Sequence, residues 1–102
     1  MLRVPADKLP ALKVRSKALL GRADRLLVAA AIARAGPNDI YEKRIAEVTK
    51  LDKSRVGEQL RHFERAGMLD RRELGADRYQ RYDAADSTYW EMCWRLFREI
   101  VR

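Results

Sequence analysis

Lys53, Ser54, Arg55, Glu58, Gln59, Arg61 and His62 crowd into one short stretch, DKSRVGEQLRHFERAGML. Val56, Leu60 and Phe63 recur among them at spacings of four and three, which predicts a helix with an apolar stripe. The seven polar residues then form an opposite face rich in hydrogen-bond donors, with one carboxylate. Such a face suits the edges of base pairs in a major groove. Arg55 is the candidate for a bidentate contact to guanine O6/N7, and Gln59 for adenine N6/N7. Glu58 either accepts from cytosine N4 or holds Arg55 or Arg61 in place. The plainer alternative is an ordinary solvated helix face.

Asp52 is a suitable N-cap for this helix, and Gly67 a C-terminal stop, so it should cover residues 53–66. Ahead of it, Glu42 to Lys50 reads as a short helix with Ile45, Ala46, Val48 and Thr49 on its inner side. Only Leu51 is left for the connection, which makes the pair a helix-turn-helix candidate whose second helix would enter the groove. Ile40 reads as a short edge strand. Beyond Gly67, Met68 to Leu74 and Arg78 to Tyr82 can pair as a hairpin around Gly75-Ala76-Asp77. Arg71, Arg72, Arg78 and Arg81 make it basic despite Asp70, Glu73 and Asp77. A basic flap over 69–82 would be a wing that touches phosphate or the adjacent minor groove. A charged hairpin that resists edge-to-edge aggregation is the alternative.

Three further helices must carry this pair. Residues 1–7 read as an arm, after which Asp7 would cap a helix running to Leu20, with Pro10 in its first turn and Gly21 ending it. Lys8, Lys13, Arg15 and Lys17 lie away from its apolar side, either touching phosphates or simply solvated. Arg22 to Ala35 follows, with a middle, LLVAAAIA, that is apolar on every side and so predicts a central helix. Gly36-Pro37 ends it. The last helix, Asp86 to Val101, begins at Asp86 or Ser87 as cap. Its apolar arc is wider than one packing contact in a small domain needs and holds both tryptophans. Aromatic enrichment of that kind marks interface cores, so Leu12, Leu19, Tyr89, Trp90, Cys93, Trp94, Phe97, Ile100 and Val101 are the expected homodimer surface. A well-covered core helix is the other reading.

The fold class is therefore mainly α with a small β-hairpin wing: five helices in the order α-α-α-α-β-β-α, expected as a single domain over 1–102. The net charge of +7 is uneven, +5 over residues 1–25, +1 over 26–51, +2 over 52–82 and −1 over 83–102. A basic body with one acidic end fits a polyanion on one side and a different partner on the other. A single cysteine permits no intrachain disulfide, and no stretch reads as a signal peptide or membrane span. The expectation is a cytoplasmic, nucleoid-associated protein with no membrane partner.

Taken together, this order resembles the ArsR-type winged helix-turn-helix repressors over about residues 8–101. LLGRADRLLVAAAIARAG looks like that family's second helix, RIAEVTKLDKSRVGEQLRHFERAGML like its helix-turn-helix, and DRRELGADRYQRYD like its wing. The resemblance implies recognition-helix positions Ser54, Arg55, Glu58, Gln59 and His62, and wing positions Arg71, Arg72 and Arg78. It departs at the metal sites. RIAEV carries no cysteine and the last helix no histidine, so no metal is expected.

Catalysis finds no support. His62 is the only histidine and sits on the recognition face, away from any nucleophile and acid arranged for hydrolysis. Cys93 lies in an apolar helix, where an inert thiol is the default. Neither a phosphate-binding glycine loop nor zinc-ligand spacing is present. The expectation is a non-enzymatic, cofactor-free regulator of transcription, a homodimeric repressor on an inverted-repeat operator in double-stranded DNA. The alternatives are a winged-helix protein–protein interaction module and a nonspecific architectural DNA binder, with an effector- or redox-responsive version of the repressor as a third.

Overall fold

The computed structural model describes residues 2–102; Met1, the first residue of the expected arm, lies outside them. The fold comprises two compact units, residues up to Arg34 together with Thr88–Arg102, and Ala35–Ser87.

The first unit is three helices, α1 (Leu9–Leu20), α2 (Arg25–Arg34) and α5 (Thr88–Val101). A 3-10 turn, Ala6–Lys8, leads into α1, and Lys8 rather than Asp7 stands at the cap position. The predicted Asp7 cap is thus corrected: that residue is taken up in the 3-10 turn. Pro10 lies in the first turn of α1, as its missing N–H allows. Gly21 ends the helix at φ 88°, donating to the Lys17 carbonyl at 2.9 Å. Ser16 is fully buried at this corner. Its Oγ donates to the Arg22 carbonyl at 2.5 Å and accepts from Leu26 N–H at 2.9 Å, which satisfies a first-turn amide of α2 from a neighbouring helix.

Residues Leu26 to Ile32 are all buried, as the all-round apolar pattern of α2 required. Helix α2 packs against both α1 and α5. On α5, Trp90, Cys93, Phe97 and Ile100, spaced three, four and three, form the buried stripe. Here the expected dimer surface needs correction. Leu12, Trp90, Cys93, Phe97 and Ile100 are all buried within the chain, each 6% exposed or less. Tyr89, Trp94 and Val101 are half-buried, and only Leu19 of that group is open, at 60%. Four of the ten residues of α2 are alanine, which offer little apolar area of their own, and α5 uses most of its wide arc in covering this helix. Each large side chain buried this way contributes about 1.5–3 kcal/mol.

The second unit holds α3 (Glu42–Thr49), α4 (Lys53–Arg65) and the antiparallel strands β1 (Leu69–Arg71) and β2 (Tyr82–Ala84). Helix α3 ends at Lys50, which takes a left-handed conformation, φ 61°, and donates to the Ala46 carbonyl at 2.8 Å. Two residues later Asp52 caps α4 by accepting from Arg55 N–H at 2.9 Å. This is a helix-turn-helix. Helix α4 closes with both bonds of a Schellman motif: Met68 N–H to Phe63 O at 2.8 Å and Gly67 N–H to Glu64 O at 3.0 Å, with Gly67 at φ 77°.

The hairpin is shorter and paired further along than predicted. Leu69 faces Ala84, Asp70 faces Asp83 and Arg71 faces Tyr82, so residues 78–80 lie in the loop instead of a second strand. The cause is local competition. Asp77 Oδ1 accepts from Tyr79 N–H at 3.1 Å and Arg78 N–H bonds back to the Gly75 carbonyl at 2.9 Å, closing a turn where the ladder would have continued. Arg78 sits at φ 64° within it. The edge strand expected at Ile40 is reduced to one bridge, Tyr41 to Arg81, with Tyr82 N–H donating to the Ile40 carbonyl at 3.0 Å. The whole is mainly helical, with a hairpin wing after a helix-turn-helix. No helix among the described residues is long and apolar enough to cross a membrane.

Candidate nucleic-acid interface

Helix α4 presents one face and buries the other. Val56, Gln59, Leu60 and Phe63 turn inward, each 1% exposed or less. Lys53, Ser54, Arg55, Glu58 and Arg61 are exposed. Gln59 is therefore a correction to the predicted base-reading set. It lies three residues after Val56 and four before Phe63, so helical geometry places it in the apolar stripe despite its polarity. His62 is half-buried, its ring edge-on to Phe63 with centroids 5.4 Å apart.

The N-terminus of α4 is ordered by Asp52. Its carboxylate accepts from Ser54 Oγ at 2.7 Å as well as from Arg55 N–H, and lies 3.6 Å from Arg55 Nε. The Ser54 hydroxyl and the Arg55 amide hold the Asp52 carboxyl below its usual range. The Arg55 guanidinium lies beside this carboxylate and remains exposed, free to offer its forked donors outward.

The wing arginines divide into two kinds. Arg71 donates to both oxygens of Glu64, at 3.0 and 2.9 Å, tying β1 to the end of α4, and lies over the Tyr82 ring. That pair raises Arg71 and lowers Glu64 relative to their ordinary values, the mutual hydrogen bond being the first cause for each. Arg72 donates to Asp83 at 2.8 Å, to Asn38 Oδ1 at 2.9 Å and to the Pro37 carbonyl. Arg81 donates to the Asn38 carbonyl at 2.8 Å and to Asp77 at 3.0 and 2.8 Å. These three hold the hairpin to its own unit. Arg78, by contrast, is exposed in the loop, and no ion pair engages it, Arg61 or Lys53 among the described residues. Of the predicted phosphate contacts in the wing, Arg71 and Arg72 are thus occupied by protein partners and Arg78 is open.

The sequence reading missed a cluster beside these residues. Tyr41 and Tyr79 stack with centroids 5.0 Å apart and an 18° interplanar angle, and the Arg81 guanidinium lies 4.6 Å over Tyr41. Lys43 Nζ is 3.3 Å from the Tyr79 hydroxyl, a bond that raises the ammonium above its usual range. The available signal was aromatic residues interleaved with basic ones, YEKR and RYQRY. In the first unit Cys93 is buried, and burial pushes its thiol up, away from thiolate chemistry. No group of His, Cys, Asp and Glu among the described residues could hold a metal ion.

No protein-family model matches the chain, and no curated protein matches it in sequence. Solved structures do match in shape. One is MepR, a transcription regulator of the Staphylococcus aureus multidrug efflux pump MepA, at TM-score 0.64 and 14% identity over 93% of this chain and 68% of that one. Another is a MarR protein from Peptoclostridium difficile, at 0.63 and 17% over 89% of this chain and 57% of that one. The transcriptional regulator SlyA matches at 0.62 and 16%, over 89% and 62%. The chain thus spans between 57 and 68% of the length of these neighbours. At such identities the likeness is one of fold, and that fold is the winged helix-turn-helix.

Proposed function

We propose, from that shared fold, that the chain is a sequence-specific double-stranded DNA-binding regulator of transcription, acting as a homodimeric repressor. Helix α4 enters the major groove and the wing lies on phosphate or in the minor groove. The observation that carries this reading is the outer face of α4, where Lys53, Arg55, Glu58 and Arg61 stand exposed, with Arg55 beside the cap. Arg55 reads a guanine, Glu58 accepts from a cytosine or steadies Arg61, and Arg78 with the lysines of α1 meets phosphate. The neighbours support a winged-helix regulator in general and not the ArsR type in particular. Residues 1–102 act together as one DNA-binding module, with α1 and α5 as its dimerisation elements. Exposed Val14, Leu19 and Met92 are the side chains left open for that contact.

Selection of bound duplex from a random pool tests specificity and half-site symmetry at once. An enriched inverted repeat with half-sites about one helical turn apart is the expected result. Arg55→Ala should then cost on the order of 1–3 kcal/mol and relax preference at one position. Uniform loss on every sequence would make Arg55 a phosphate contact. Retention of the pool without enrichment would favour an architectural binder, and no retention at low salt would leave protein–protein interaction as the function.

A further inference from the structure

In the second unit a cleft of about 210 Å³ opens between the start of α3, the middle of α4 and the hairpin loop. Its walls bring together Lys43 from α3, Arg61 from α4 and Arg78 from the loop, against the single carboxylate of Glu42. These cations are distant in sequence, so the folded unit is what gathers them. Glu42 leans over Gly57 beside Arg61: its Oε2 is 2.8 Å, and an Arg61 terminal nitrogen 3.2 Å, from where a Cβ on Gly57 would stand. Three tyrosines, Tyr41, Tyr79 and Tyr82, line the cleft together with Gly57, Leu60 and Gln80. Tyr79 is braced by its stack on Tyr41, and Tyr41 by Arg81, which is itself fixed by Asp77 and the Asn38 carbonyl. Lys43 Nζ meets the Tyr79 hydroxyl at 3.3 Å, a neutral partner that positions the ammonium without cancelling its charge.

An open cleft with a cationic excess, a positioned ammonium and a phenolic donor matches a tetrahedral oxyanion better than an apolar ligand. We propose that this cleft seats one phosphodiester group of the bound duplex, with Lys43 and the Tyr79 hydroxyl as its donors and Arg61 and Arg78 flanking it. The seat rests on the DNA-binding reading and adds to it. A phosphate held between α3 and the wing would fix how deep and at what angle α4 sits, without reading any base.

The test uses the full chain and a random-sequence duplex, with affinity followed by fluorescence anisotropy through a salt series. Lys43→Met should reduce the salt slope by about 0.9, which is roughly an eightfold loss at about 0.1 M salt relative to 1 M. Tyr79→Phe, which keeps ring and charge, should weaken binding by a smaller factor with the slope unchanged. The double variant should lose less than the sum of the two single losses, because both groups hold one phosphate. Additive losses, or an unchanged slope in Lys43→Met while duplex still binds, would overturn the seat and leave the DNA reading standing. Absence of duplex binding by the unaltered chain would remove both together. Inorganic phosphate is titrated in parallel and followed by amide shifts. Shifts around Lys43 and Tyr79, with a duplex slope that ignores Lys43→Met, would assign the cleft to a free small anion and overturn it as a duplex contact.

Discussion

Helices α4 and α5 are both amphipathic, with apolar residues at helical spacing on one side and charge on the other, yet their surroundings use them differently. On α5 the aromatic arc is drawn inward over α2, and Trp90, Cys93 and Phe97 disappear from the surface. On α4 the apolar stripe is narrow, one polar residue joins it, and the charged face is left open. The width of an apolar arc therefore did not measure how much of it remains for a partner. What the neighbouring helix lacks decides that. A second lesson sits within the hairpin, where Arg72 is a strut with three partners and Arg78, six residues on, has no ion pair among the described residues.

The largest effects should come from cutting into each apolar stripe. Phe63→Ala and Phe97→Ala should each cost about 3–5 kcal/mol in urea unfolding, because both rings are buried within the chain. Were the α5 arc chiefly an interface between subunits, the Phe97→Ala loss would instead vary with protein concentration.

The arginine contrast is sharpened by pairing two further variants. Arg72→Ala should destabilise by about 1–2 kcal/mol, since it removes three solvent-exposed hydrogen bonds, to Asn38, Pro37 and Asp83. Arg78→Ala should stay within about 0.5 kcal/mol in the same assay. The reverse order would show that the loop, and not the strut, holds the wing.

Smaller still is the effect at the turn between α3 and α4. Lys50 carries a side chain at φ 61°, so Lys50→Gly should gain about 0.5–1 kcal/mol in thermal unfolding. A loss there would mean that the lysine side chain contributes more than its backbone strain costs.

The slightest expected change is with pH. Asp52 and Glu64 both titrate below their ordinary values of 3.8 and 4.5 in the folded chain. Their contribution is complete above those ordinary values and disappears as pH falls through the lower folded ones. Asp52 is exposed and Glu64 half-buried, so salt should shrink the effect, most of all at Asp52. Melting temperature below about pH 4.5 should fall less steeply in Asp52→Asn and Glu64→Gln than in the unaltered chain. Identical slopes would show that neither carboxylate is held down by its partners.

Much of this fold is local and was legible as such. The cap at Asp52, the stop at Gly67 and the central character of LLVAAAIA each depend on residues within a turn or two, where spacing fixes geometry. Spacing also contained the fact about Gln59, which sits on the stripe by position, although its polarity pointed outward. What the tertiary structure alone decided is pairing across distance. Arg72 finds Pro37 and Asn38 more than thirty residues away, Lys43 meets Tyr79, and the α5 aromatics cover an alanine-rich helix far up the chain. A sequence states how many charges and rings a chain possesses. Which of them remain open to a ligand depends on the partners that folding brings within about 3 Å, a proximity that linear order does not encode.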